Sequence, residues 1–284
     1  RQMCIRDRFK YDKDLVGEFW EDRPELPKGK AFILDEEFTG ESPIKKLEKI
    51  REDMQEAGAN YMFISTLDDI AYTLNLRGHD DNFTPYVISY LIIDKHNATL
   101  YVNDFKLDQT VKGYLQKNGI KFRDYNDITD DLRHFKENDY VWINSGKISS
   151  LHYKILNDNT NIIDKALPTT MMKAVKNDVE ISNTKKAHII DGAALTRHLF
   201  WMKNNAGKVE LNEYSAQEKL HEFRAEGESF ISESFGTISA YKGNAAMAHY
   251  SANEHKHADI TNEGIYLVDS GGQYREGTTD VTRT

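Results

Sequence analysis

Helix-spaced and strand-like apolar segments take turns along residues 31–165, and this alternation restricts the fold more than any other feature of the sequence. Pro43 stands where a helix would start. Ile44, Leu47, Ile50 and Met54 follow at steps of three and four, and Gly58 occupies the C-terminal capping position. Strand-like runs cover residues 61–65, 86–94, 98–103 and 140–144. The second is apolar or aromatic at nearly every position, and Lys95-His96-Asn97 supplies the turn into the third. Residues 106–118 read as a helix closed by Gly119. Such a mixture predicts an α/β unit over residues 31–165. Residues 9–30 are charged, aromatic and interrupted by Pro24 and Pro27, and they read as a lead-in.

The pattern changes after Pro168. Asn177, with Glu180 three residues on, has the form of a capping box. A long helix is expected from there to about Lys203, with Ile181, Ile189, Ala193, Leu199 and Phe200 as its apolar positions. Ser215 with Glu218 gives a second helix start, carrying Leu220 and Phe223 and closing near Gly227. Strand signals then cover residues 235–240, 247–250, 265–270 and 278–284. Two long helices followed by antiparallel strands predict an α+β unit over residues 166–284. Repeats and low-complexity tracts are absent from the sequence.

Composition narrows the class of partner. The 284 residues carry a net charge of −9 with no basic run, which argues against nucleic acid. No apolar run approaches the ~18 residues that a membrane span needs, so no membrane partner is expected. The single cysteine, Cys4, permits no internal disulfide and fits a reducing compartment, so a cytoplasmic location is expected. Residues 1–8 fit no capping or strand pattern and read as an artefactual start. Residues 280–284 read as a strand in mid-run, so the chain reads as a fragment.

The chemistry concentrates in residues 265–284. Ile265, Leu267 and Asp269 share one strand face, and Asp280, Thr282 and Thr284 share a face of the return strand. Gly271, Gly272 and Gly277 lie in the connection. A hairpin folded about Tyr274 and Arg275 would set Asp269 directly opposite Asp280, with Cβ atoms about 4.5–5.5 Å apart. Two such carboxylates repel, and burial worsens the conflict. A shared proton or bound cations relieve it, and a pair of divalent ions about 3.5–4 Å apart suits carboxylates that bridge and chelate. Solvated turn residues would have the same spacing. The apolar run before Asp269, which puts it at a buried strand end, favours the metal role.

Val268-Asp-Ser-Gly-Gly-Gln-Tyr274 followed by Gly277-Thr-Thr-Asp-Val-Thr-Arg-Thr284 resembles the first two metal-ligand segments of the aminopeptidase P (Xaa-Pro aminopeptidase) family. That family belongs to the pita-bread metallopeptidases, with prolidase and methionine aminopeptidase. Phe235-Gly-Thr-Ile-Ser239 and Asn244-Ala-Ala-Met-Ala-His-Tyr250 resemble its substrate-histidine segment. Met172-Lys-Ala-Val-Lys-Asn-Asp-Val-Glu-Ile181 and Ala187-His-Ile-Ile-Asp-Gly-Ala-Ala194 resemble the entry helix of its catalytic domain. Phe38-Thr-Gly40 and Asp68-Asp-Ile-Ala-Tyr-Thr-Leu-Asn-Leu-Arg-Gly78 resemble the middle domain of its long form. The likeness covers nearly everything after residue 15, and it makes residues 1–30 the remnant of a first domain.

The resemblance implies an α/β middle domain of the creatinase/prolidase N-terminal type over residues 31–165. An incomplete α+β pita-bread catalytic domain over residues 166–284 follows. It implies that Asp269 chelates one ion, that Asp280 bridges two, and that His249 meets the substrate near the scissile carbonyl. It further implies two divalent metal ions, Mn²⁺ first and Zn²⁺ or Co²⁺ next, which activate a water to hydrolyse the N-terminal bond of a peptide with proline second. Tyr274 and Thr282 are expected to orient the carboxylates, His255 and His257 to be loop residues, and Arg77 stands without a role. A homodimer through the catalytic domain is carried over from the family. The family's site needs a further histidine and two glutamates later in the chain, so this chain alone is expected to be inactive. Prolidase is the nearest alternative, and a non-catalytic peptide- or protein-binding pita-bread module is the alternative of another class. Metal-free creatinase lacks the two aspartates present here.

Overall fold

The computed structural model describes residues 14–284, so the reading of residues 1–8 and Cys4 lie outside the described residues. The first part of the chain contains α1 (Leu15–Phe19), β1 (Ala31–Ile33), α2 (Glu36–Thr39), α3 (Pro43–Ala57), β2 (Tyr61–Ile64), α4 (Leu67–Leu74) and β3 (Leu76–Gly78). It continues through β4 (Tyr90–Asp94), β5 (Ala98–Tyr101), α5 (Gln109–Lys117), β6 (Ile120–Arg123), α6 (Ile128–Arg133), β7 (Tyr140–Ile143), α7 (Ser150–Asn159) and β8 (Asn161–Asp164). The remainder comprises α8 (Pro168–Ala174), α9 (Asp178–Asn205), α10 (Glu213–Ala225), β9 (Phe230–Glu233), β10 (Ile238–Tyr241), β11 (Tyr266–Ser270), β12 (Gly272–Tyr274) and β13 (Val281–Arg283).

Six strands form one mixed sheet in the order β6-β5-β4-β2-β7-β8. Successive side chains on a strand face opposite ways, so an apolar run can serve two cores at once. Met62, Ile64, Leu91 and Ile93 enter one core with Leu47 and Ile50 of α3 and Leu115 of α5. Phe63, Ile92, Val141 and Ile143 enter the other, with Leu132 of α6 and Leu156 of α7. The α/β expectation is met. The strand expected over residues 86–94 is shorter, starting at Tyr90. Pro43 takes the first turn of α3 and Gly58 ends the helix at φ 71°, as the sequence implied, and Ser42 caps it through Lys45 N. Ile44 proves exposed, whereas Leu47 and Ile50 are buried.

Asn177 caps α9 in a full capping box with Glu180. The buried face of this helix differs from the expected one. Ala187, Asp191, Ala194, Leu195, His198 and Met202 are buried, while Ile189 and Phe200 are 73% and 72% exposed. Small residues admit the close approach of α10, and Asp191 finds partners described below. At α10 the cap is Asn212, with Ser215 in the third position, rather than Ser215 itself. β9 was not expected, and residues 247–250 form no strand.

The two parts are joined by specific contacts. Asn177 Nδ2 donates to Thr39 O at 2.9 Å, and Asn183 Nδ2 to Glu37 O at 2.8 Å. Gly40 has φ 69°, and a Cβ there would lie 2.5 Å from Asn177 Oδ1, so a side chain at this junction would be strained. Lys173 pairs with both Asp68 and Asp69, the latter at 2.8 Å. No helix among the described residues is long and apolar enough to cross a membrane.

His198 gives the fold a pH dependence. It is fully buried, and among the described residues neither ring nitrogen has a hydrogen-bond partner. Burial, then the charge of Arg224, pushes its pKa down from 6.5 to about 4. The unfolded chain therefore binds a proton that the folded one refuses. The associated stability is present above pH 6.5 and is lost as pH falls toward 4, amounting to about 3 kcal/mol. Urea unfolding at pH 7 and pH 4.5 should show this loss, and His198→Phe should lack that component.

Candidate metal centre

Of the expected site residues, Asp269 lies in the three-stranded sheet β10-β11-β13, Asp280 immediately precedes β13, and His249 lies in the connection between β10 and β11. Asp269 lies on the central strand and pairs with Ile238 on one side and Thr282 on the other. Its neighbours Val268 and Ser270 are buried toward α9 and α10, where Val268 packs on Leu195 and Leu220. Alternation therefore turns Asp269 to the opposite face. Asp269 is half-buried, and Asp280 and His249 are exposed, so the expectation of a buried strand end holds only in part.

The expected direct opposition of Asp269 and Asp280 is not observed. The turn is closed by Tyr274 N donating to Gly277 O at 2.9 Å and by Gly277 N donating to Tyr274 O at 3.2 Å. The chain thus folds about Arg275 and Glu276, one residue later than the sequence suggested. Moving the fold point by one residue moves every cross-strand partner by two. The same register holds from Thr279 N on Gly272 O to Thr282 facing Asp269. Asp280 precedes Thr282 by two residues and is a diagonal neighbour of Asp269, at a typical spacing of about 7–8 Å. Thr282 Oγ1 donates to Asp269 Oδ1 at 2.7 Å, the orienting role expected of it.

Tyr274 does something else. Its hydroxyl donates to Asp191 Oδ1 at 2.8 Å, away from Asp269. Asp191 also receives Arg224 Nε at 2.7 Å, while Arg224 Nη1 reaches Glu233 at 2.7 Å and Nη2 reaches Ser270 Oγ at 3.0 Å. Burial, then the charge of Asp191, pushes the Tyr274 phenol far up, which keeps it a donor. Burial alone would lower the Arg224 pKa, but pairing with Asp191 and Glu233 raises it overall. This buried network ties α9, α10, β9 and β12 to the residue after Asp269. Sequence reading missed it, because a charged residue in a helix looks like a solvated one until its partners are known.

Glu213 was missed as well. It is fully buried, and its carboxylate accepts from Tyr241 N at 2.6 Å, Tyr250 Oη at 2.6 Å, Ala258 N at 2.7 Å and Asn244 Nδ2 at 3.0 Å. These donors span the loop that carries His249, so Glu213 fixes where that loop lies. His257 Nδ1 contacts Asn253 O at 2.9 Å, and His255 is an exposed turn residue, as expected of loop histidines. Among the described residues, no three or more His, Cys, Asp or Glu side chains converge as a metal cluster. What Asp269 and Asp280 offer is a pair of hard oxygen donors, suited to Mn²⁺ or Mg²⁺, short of a full ligand set.

Residues 22–180 match the creatinase/prolidase N-terminal domain, and residues 182–284 match metallopeptidase family M24. Xaa-Pro aminopeptidase 1 of Dictyostelium discoideum is 38% identical over 285 residues, covering 99% of this chain and 44% of that protein. Probable Xaa-Pro aminopeptidase P of Sordaria macrospora is 35% identical, covering 96% of this chain and 46% of that protein. The chain thus spans about half the length of the curated relatives it matches. Among solved structures, X-prolyl aminopeptidase from Caenorhabditis elegans, described as a cytosolic enzyme with a di-nuclear active site, superposes with a TM-score of 0.88 at 29% identity. The match covers 95% of this chain and 45% of that one. Prolidase from Pyrococcus horikoshii OT3 superposes with a TM-score of 0.64 at 19% identity over 84% of this chain and 64% of that one, a likeness of fold. The chain therefore belongs to the creatinase/prolidase N-terminal domain family, and its residues 182–284 match metallopeptidase family M24.

Proposed function

We propose that this chain is part of a metal-dependent aminopeptidase that removes the first residue from peptides with proline second. The observation that carries the reading is the diagonal pair of Asp269 on β11 and Asp280 just before β13, in a chain 38% identical to Xaa-Pro aminopeptidase 1. In this reading a pair of divalent ions, Mn²⁺ first, supplies a water of lowered pKa and polarises the scissile carbonyl. Asp269 and Asp280 hold that pair, and Thr282 keeps Asp269 Oδ1 occupied while Oδ2 stays available. His249 is exposed, and no partner is seen for its ring among the described residues. It is assigned to donate to the carbonyl oxygen as charge develops there. The proposed domain division runs through residues 31–165 and 166–284, supported by the large sheet ending with β8 at Asp164. A cytosolic location follows the Caenorhabditis elegans neighbour.

Two carboxylates hold a metal pair weakly, since affinity grows with ligand number and charge. The 284-residue chain is therefore expected to show no turnover of an Xaa-Pro tripeptide with Mn²⁺. A protein of the relatives' full length containing this chain should be active under the same conditions. Comparable turnover by both would overturn the need for further ligands. Cleavage of the dipeptide alone would favour the prolidase reading.

A further inference from the structure

A cavity of about 430 Å³ lies between the α/β part and the turn of the β12–β13 connection. We propose that it binds one small anion through a carboxylate or phosphate group, with Arg77 as the principal ligand.

Arg77, on β3, is half-buried and lines the cavity. Nη1 donates to Ala71 O at 2.6 Å and to Leu76 O at 3.1 Å. Among the described residues no partner is seen for Nε or Nη2, and no carboxylate pairs with the guanidinium. An arginine away from water is normally matched to an anion, because its fork of donors suits two oxygens at once. Lys46 is buried nearby, held by Tyr72 O at 2.8 Å and Asn75 Oδ1 at 2.6 Å, again without a carboxylate. Burial, then the charge of Arg77, pushes the Lys46 pKa down to about 8, and burial pushes Arg77 down to about 10.

The other charges around the cavity leave an excess of cations. Lys173 is taken by Asp68 and Asp69, and Glu276 by Lys186 at 2.8 Å. That leaves Arg77, Lys176 and Arg275 facing Glu180, whose carboxylate already accepts Asn177 N at 3.0 Å. The volume falls within the range of about 300–1,000 Å³ typical of small-molecule sites, and Phe38 and Pro85 offer apolar wall to a carbon skeleton. Arg275 sits in the turn of the hairpin that carries Asp269 and Asp280. An occupant bridging Arg77 and Arg275 would clamp that turn to the α/β part. This inference does not depend on the metal reading.

The test is calorimetric titration of a full-length protein containing this chain, in metal-free buffer at constant ionic strength. Sodium phosphate and sodium butyrate are the two probes, with sodium chloride as control. Saturable one-to-one binding of phosphate alone would identify a phosphate site, and of butyrate alone a carboxylate site. Arg77→Met should weaken binding at least tenfold. Should that variant fail to fold, the exposed double variant Lys176→Gln/Arg275→Gln should still weaken binding several-fold. No saturable binding of either probe up to 10 mM ~, or unchanged affinity in the double variant, would overturn the proposal.

Discussion

Replacing Asp280 by Asn in a full-length protein containing this chain should lower kcat/KM for an Xaa-Pro tripeptide at least ~10³-fold, equivalent to about 4 kcal/mol of transition-state stabilisation. Asp269→Asn should do the same. Both aspartates belong to one hairpin with a single register, and among the described residues no third His, Cys, Asp or Glu joins them in a metal-binding group. An amide keeps the size and loses the charge that two cations require. Thr282→Val should be milder, about 10–100-fold, because it removes only the hydroxyl that orients Asp269. Metal content measured on the same samples separates loss of ions from loss of fold. Unchanged metal content with full activity in Asp280→Asn would contradict the assignment.

Arg224→Met should destabilise the protein by about 3–5 kcal/mol. The change leaves Asp191 and Glu233 charged without their shared cation, and breaking a buried pair on one side costs that much. Arg224 and Asp191 have side-chain exposures of 0% and 2%, so solvent screens the lost interaction little. Replacing both, as Arg224→Met/Asp191→Leu, should recover part of the loss, since the more deeply buried lone carboxylate is then gone and only Glu233, 16% exposed, remains without Arg224. Denaturant unfolding of the three variants gives the comparison. Because Arg224 Nη2 also holds Ser270 beside Asp269, the single variant should lose metal affinity before it unfolds.

The α/β part was legible because its strands are apolar on both faces and its helices carry standard caps. Tyr61–Ile64 and Pro43–Ala57 follow directly from β-branched and aromatic runs and from Pro43 with Gly58. The later part was less so. The buried face of α9 is built of Ala187, Asp191, Ala194 and His198, which no hydrophobic periodicity marks. The hairpin was visible from its glycines, yet its fold point was set by the Tyr274–Gly277 pair, a detail of two hydrogen bonds. That one-residue difference turned a direct pair of aspartates into a diagonal one. Glu213 had only a weak signal, the Asn212 and Ser215 capping box that marks it as the first residue of α10. Its role comes from donors at positions 241, 244, 250 and 258, brought together only by the fold.

The most direct measurement is anomalous scattering at the manganese edge from crystals of the full-length protein soaked in Mn²⁺. Two peaks about 3.5–4 Å apart are expected, with Asp280 carboxylate oxygens on both ions and Asp269 on one. A single peak, or a pair bound elsewhere with both carboxylates turned to solvent, would contradict the account.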